Sequence, residues 1–159
     1  MRWENDMSHA TTTPPPINPL GGEAYRLTLP NTASAAKLAR DFVTSLLGVS
    51  RHHDLVDDAR VCVTEVVTNA HRHTPTPLIR VHVAVNHQRV TVAVSDDGPV
   101  APQLLRALRA GPEREGGRGL MLVESLALAW GANTAGEQHP GRKVVWFTLG
   151  RPVPDDGRA

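Results

Sequence analysis

Residues 63–74 read Val-Thr-Glu-Val-Val-Thr-Asn-Ala-His-Arg-His-Thr, a helical apolar pattern with a polar edge. Glu65, Asn69 and His73 stand at i, i+4 and i+8. At 3.6 residues per turn, successive members drift by only about 40°, so all three share one side of the helix. The apolar stripe of the same helix is Leu55, Ala59, Cys62, Val63, Val66 and Ala70. A carboxylate and a carboxamide one turn apart can hold a hydrated divalent ion beside an acid–base group.

The periodicity alternates on either side of this helix. Residues 25–29 alternate with period two, as a short strand does. Pro30-Asn31-Thr32 is a turn that offers an N-cap. Ala36, Leu38, Ala39, Phe42, Val43, Leu46 and Leu47 then recur at helical spacing, and Gly48 is expected to end that helix. Asp54 is the expected N-cap of the long helix, and Pro75 and Pro77 stop it. Residues 78–85 and 90–94 are valine-rich and alternating, and Asn86-His87-Gln88-Arg89 joins them, which predicts an antiparallel hairpin. A short helical piece is expected around residues 104–108, a helix over 119–128, and closing strands over 129–134 and 143–149. Hairpins dominate and regular βαβ spacing is absent. That pattern favours an α+β two-layer sandwich: a mixed, mostly antiparallel sheet with helices on one face.

The 159 residues suggest one domain with a core of its own. We read residues 1–24 as a tail, because Thr11-Thr12-Thr13-Pro14-Pro15-Pro16 has few donors and little to bury. Residues 25–150 form the domain and 151–159 a C-terminal tail. Net charge is +1 with no Lys/Arg block, so binding nucleic acid directly through phosphate contacts is not expected. Cys62 is the sole cysteine, which excludes an intramolecular disulfide. No apolar run approaches the roughly 20 residues of a membrane span, and no secretory pattern opens the chain, so a cytoplasmic protein without membrane contact is expected. None of the eight histidines sits at a convincing zinc spacing.

Two glycine-bearing segments follow the polar-edged helix: Val94-Ser95-Asp96-Asp97-Gly98-Pro99 and Gly116-Gly117-Arg118-Gly119-Leu120. An Asp-Gly pair after a strand is a common turn. Glycines before an apolar helix leave unpaired amides at the positive end of a dipole, a ready anion site. The second segment is not a Walker A loop, since no Gly-Lys-Ser/Thr follows, nor a dinucleotide fingerprint, since a third glycine is missing.

In this order, the three segments resemble the N, G1 and G2 boxes of the gyrase/Hsp90/histidine-kinase/MutL ATPase superfamily. Within it they look like the small anti-sigma-factor serine kinases of actinobacterial type. The resemblance spans roughly residues 25–150 and implies a Bergerat-type ATP-binding fold, with ATP and Mg²⁺ as cofactors. It implies Asn69 as the magnesium ligand and Glu65 as the general base on an incoming nucleophile. His73 reaches phosphate, orients Glu65 or simply favours the helix C-terminus as a cation. Asp96 accepts from the adenine amine, and Gly98 lets the backbone approach the ring. Gly117, Arg118, Gly119 and Leu120 form the phosphate segment, where Arg118 adds a charge-assisted contact. Residues 100–116 would be the lid, with Arg106, Arg109 and Arg114 within it. Two departures stand out. Val100 replaces a usual second glycine, and relatives often have threonine near Lys143 or Val144, where Gly141-Arg142-Lys143-Val144-Val145-Trp146 has none.

The implied function is an ATP-binding regulator: an anti-sigma factor with serine/threonine protein kinase activity. Its implied partners are an alternative sigma factor and an anti-anti-sigma (STAS-type) protein, and a homodimer is one available state. The alternative is a nucleotide-gated protein-binding module without kinase turnover. A stand-alone ATPase is a third reading. A sensor histidine kinase is disfavoured, since no helix pair with a phospho-accepting histidine precedes the domain.

Overall fold

The computed structural model describes residues 22–96, 118–134 and 143–151. In chain order these form β1 (Glu23–Pro30), α1 (Ala35–Val49), a 3-10 turn (His53–Leu55), α2 (Val56–His73), β2 (Leu78–Val85), β3 (Arg89–Asp96), α3 (Arg118–Leu126), β4 (Ala129–Thr134) and β5 (Lys143–Gly150). The strands make one five-stranded sheet in the order β1-β2-β3-β5-β4. Every neighbouring pair is antiparallel, so the described sheet is antiparallel throughout rather than mixed.

Register decides which side chains meet. Val81 faces Val94, which faces Val145, which faces Ala132. One rung along, Val83, Val92 and Phe147 are aligned, and beyond them Val85, Val90 and Leu149. Directly paired residues lie on the same side of a sheet, so these rows form one apolar face. Buried residues of α1 (Ala35, Ala39, Val43, Leu47), of α2 (Ala59, Cys62, Val63, Val66, Val67, Ala70) and of α3 (Leu120, Val123) join them in one core. The result is the expected α+β two-layer sandwich. Burial in that core pushes the Cys62 thiol up to about 12, with Asp58 and Glu65 adding negative charge nearby.

Three helix-boundary expectations are corrected. Helix α1 runs past Gly48 to Val49. Its end is made instead by Arg51, a non-glycine residue at φ 64°, after which the His52 amide donates to the Leu47 carbonyl at 2.8 Å. That is the bond of a Schellman turn, closed here without glycine. Asp54 does not cap α2; it lies in the 3-10 turn and pairs with Arg151 at 2.7 Å. Asn31 and Thr32 likewise leave the N-cap position of α1 to Ser34. Asn31 reaches elsewhere: its Nδ2 donates to the carbonyls of Thr74 (3.2 Å) and Thr76 (2.8 Å), and its backbone amide to that of Pro77 (3.0 Å). This clamp fixes the segment that leaves α2. Among the described residues no helix is long and apolar enough to cross a membrane. The short helix expected around residues 104–108 lies outside the described residues.

Candidate functional site

The apolar rows of the sheet end in charge. One rung past Val94 and Val145, on the same helix-facing side, Asp96 is paired with Lys143. Their side chains are 1% and 3% exposed, and Lys143 Nζ stands 3.1 Å from Asp96 Oδ2. Taking two charges out of water is costly unless geometry and extra hydrogen bonds compensate. Such a bond is present: Lys143 Nζ donates to Thr74 Oγ1 at 2.7 Å.

Local sequence explains why Thr74 is there. The residue before a proline is disfavoured in helical conformation. Thr74, before Pro75, is extended at φ −133° and ψ 118°, and closes α2 with its amide on the Ala70 carbonyl. The Asn31 clamp holds its carbonyl, which leaves its hydroxyl turned to the ammonium.

Beside this pair lies a shallow recess lined by Val66, Asn69, Ala70, Val94, Asp96, Leu120, Lys143 and Val145. Its apolar walls and few polar groups suit a flat heteroaromatic ligand with a polar edge. Of the residues singled out from sequence, Asn69, Asp96 and Leu120 meet here, from α2, the end of β3 and the first turn of α3. Glu65 and His73 lie half-buried on α2 and are not among the lining residues. Burial, with Lys143 and Arg72 nearby, moves the His73 imidazole below its ordinary range and favours its neutral form. Helix α3 starts at Arg118, so the backbone of Arg118 and Gly119 forms its first turn. Gly98, Gly117, Val100 and the lid expected over 100–116 lie outside the described residues, as do Arg106, Arg109 and Arg114.

The sequence reading missed Lys143 and Thr74 as members of the site. A signal existed: a lysine on the core side of an otherwise apolar strand needs a buried partner. Among the described residues no group of three or more His, Cys, Asp or Glu is arranged to hold a metal ion. A magnesium ion, which keeps several waters and takes one or two protein oxygens, asks for less. Asn69 offers a side-chain carbonyl at the recess, a donor of the right kind.

Residues 29–149 match the family model described as the histidine kinase-like ATPase domain. The chain belongs to that family. Curated relatives agree: serine-protein kinases RsbW of Staphylococcus aureus strains JH9 and Newman are each 30% identical over 88 residues, covering 46% of this chain and 55% of theirs. The chain thus spans about half the length of the curated relatives it matches. A solved structure of the RsbU and RsbW domains of Rv1364c from Mycobacterium tuberculosis superposes with a TM-score of 0.56 at 20% identity, over 82% of this chain and 34% of that one. That likeness carries the fold. The resemblance to anti-sigma-factor kinase-like ATPases therefore holds, and ATP binding is the property this ATPase family implies.

Proposed function

We propose that this chain is an ATP-binding regulator that captures an alternative sigma factor and phosphorylates a serine on an anti-anti-sigma partner. One observation carries the reading. Asn69, Asp96 and Leu120, each from a different sequence box, line the same recess. Three segments so far apart in sequence have no packing reason to place a carboxamide and a carboxylate around one cavity. A nucleotide supplies one.

In this reading the base sits among Val66, Ala70, Val94 and Val145 with its polar edge towards Asp96. Asn69 holds Mg²⁺, which when bound neutralises charge on the phosphates. The amides opening α3 face the phosphates. Glu65, one turn before Asn69, accepts the seryl proton while the seryl oxygen bonds to the γ-phosphorus and ADP departs. The relatives' name, serine-protein kinase, supports the choice of acceptor. A second reading has a specific motive: Glu65 is not among the residues lining the recess. The same pocket then serves as a nucleotide-gated switch for partner binding without turnover.

Calorimetric titration of ATP with and without Mg²⁺, into wild type and Asn69→Ala, tests the pocket. Magnesium-dependent binding that weakens at least about tenfold in the variant is the expected result, a loss of roughly 1.4 kcal/mol. Absence of ATP binding by folded wild type would remove the reading. Phosphate transfer to a serine-bearing partner, lost in Glu65→Ala with ATP binding kept, separates the kinase from the switch.

A further inference from the structure

The sheet has a second face, which the recess does not use. Side chains alternate along a strand, so Trp146, between the helix-facing Val145 and Phe147, points away from the helices. All three described helices pack on the opposite face. The rung that Trp146 shares is small: Ala93 of β3 on one side and Gly131 of β4 on the other. Neither can cover an indole. Yet Trp146 is only 5% exposed, and Thr91, Ala93, Ser95 and Thr148 of the same face are buried with it. The indole Nε1–H is a donor only, and it has no hydrogen-bond partner among the described residues. A buried donor left unpaired is costly, so whatever covers this face is expected to bring an acceptor.

The residues before β1 have matching chemistry. Pro14-Pro15-Pro16-Ile17-Asn18-Pro19 contains a Pro-x-x-Pro spacing. Proline-rich runs favour the polyproline II conformation, with three residues per turn and no internal hydrogen bonds. Pro16 and Pro19 then share one edge, and the carbonyls are free to accept. Segments of this kind dock on aromatic side chains, and a buried tryptophan N–H characteristically finds an acceptor.

The reach of the chain agrees. Glu23 opens β1 and is aligned through Val85 and Val90 with Leu149. Three strand spacings of about 4.8 Å, and three residues of about 3.3 Å along β5, put Trp146 roughly 17 Å from Glu23. At about 3.1 Å per residue, Pro19 lies roughly 12 Å and Pro16 roughly 22 Å up the chain from Glu23. The indole falls between them. The direction of departure also fits. A Cβ on Gly22 would stand 2.1 Å from the Val85 carbonyl oxygen, so the chain is pressed against β2, the side on which β3 and β5 lie.

We propose that the outer face of the sheet, centred on Trp146, is a docking surface for the chain's own proline-rich segment, residues 14–19. Proline rings pack on the indole, and a carbonyl of the segment accepts from Nε1–H. The segment thereby covers in cis an aromatic face on the strand that begins with Lys143.

The test follows hydrogen exchange of the Trp146 indole N–H by NMR in the full chain, the signal being assigned by its loss in Trp146→Phe. Wild type is expected to show a protected indole. Combining Pro14→Gly, Pro15→Gly and Pro16→Gly loosens the segment and is expected to speed that exchange at least about tenfold, with the backbone amides of Val92 and Phe147 unchanged. An indole that exchanges equally slowly in the triple variant overturns the proposal, since another part of the chain must then cover the face. Equal acceleration at Val92 and Phe147 overturns it too, because residues 14–16 would then stabilise the whole fold rather than dock on this face. Protection in wild type that rises with protein concentration assigns the face to a second copy of the chain and also overturns it.

Discussion

Strands β3 and β5 present the same face to the helices along their whole length, yet their two ends are built differently. At one end Val90 faces Leu149, and both are buried in the apolar core. At the other, Asp96 faces Lys143, equally buried but charged. Strand pairing and helix cover are shared. The apolar end gains stability from burial alone. The charged end meets a desolvation cost that mutual pairing and the Thr74 hydroxyl help to offset. A fold that tolerates such a cost at one end of its sheet is giving up stability where it needs chemistry.

Mutations can break or sharpen this contrast. The largest effect is expected at the charged end. Asp96→Ala leaves the Lys143 ammonium buried beside no carboxylate, and chemical denaturation should show a loss of about 3–5 kcal/mol. The paired change Asp96→Leu with Lys143→Met should recover most of that loss, while abolishing nucleotide binding. A single variant as stable as wild type would erase the proposed difference. Next comes the apolar end, where Leu149→Ala should cost about 2–5 kcal/mol, with nucleotide affinity per folded molecule unchanged. Weaker nucleotide binding in folded Leu149→Ala would mean the two ends are coupled through the sheet.

A smaller effect is expected where α2 joins the charged end. Asn31→Ala removes the clamp on the Thr74 and Thr76 carbonyls and should cost about 1–3 kcal/mol in chemical denaturation. The smallest is a pH effect at His73. Its folded-state pKa lies below the ordinary value, so the unfolded chain binds the proton more readily. Stability should be full above the ordinary histidine range and fall as pH drops through it. His73→Gln should flatten that slope in denaturation curves measured between pH 7 and 5.

How much of this was legible in the sequence follows the same division. The stripe of α2 and the alternation of β2 and β3 fixed elements whose cores need no distant partner to be recognised. The bounds at Gly48 and Asp54 were misread because tertiary bonds override local signals: Arg51 takes the left-handed position, and Asp54 finds Arg151. Asn69, Asp96 and Leu120 were legible as motif members, and the structure brings them to one recess. Lys143 and Thr74 were not, because their meaning depends on a strand register that joins residues far apart in the chain. Asn31 was read as a cap for the same reason: its partners lie beyond a whole helical hairpin.

The burial of Cys62 has a practical consequence. Its thiol has no solvent exposure, and burial pushes its pKa to about 12, so a thiolate is almost absent in the folded molecule. It is also the chain's sole cysteine. An alkylating probe therefore reacts only when α2 parts from the sheet. The labelling rate, followed with and without nucleotide, times the opening of the helix that carries Asn69, without any engineered reporter.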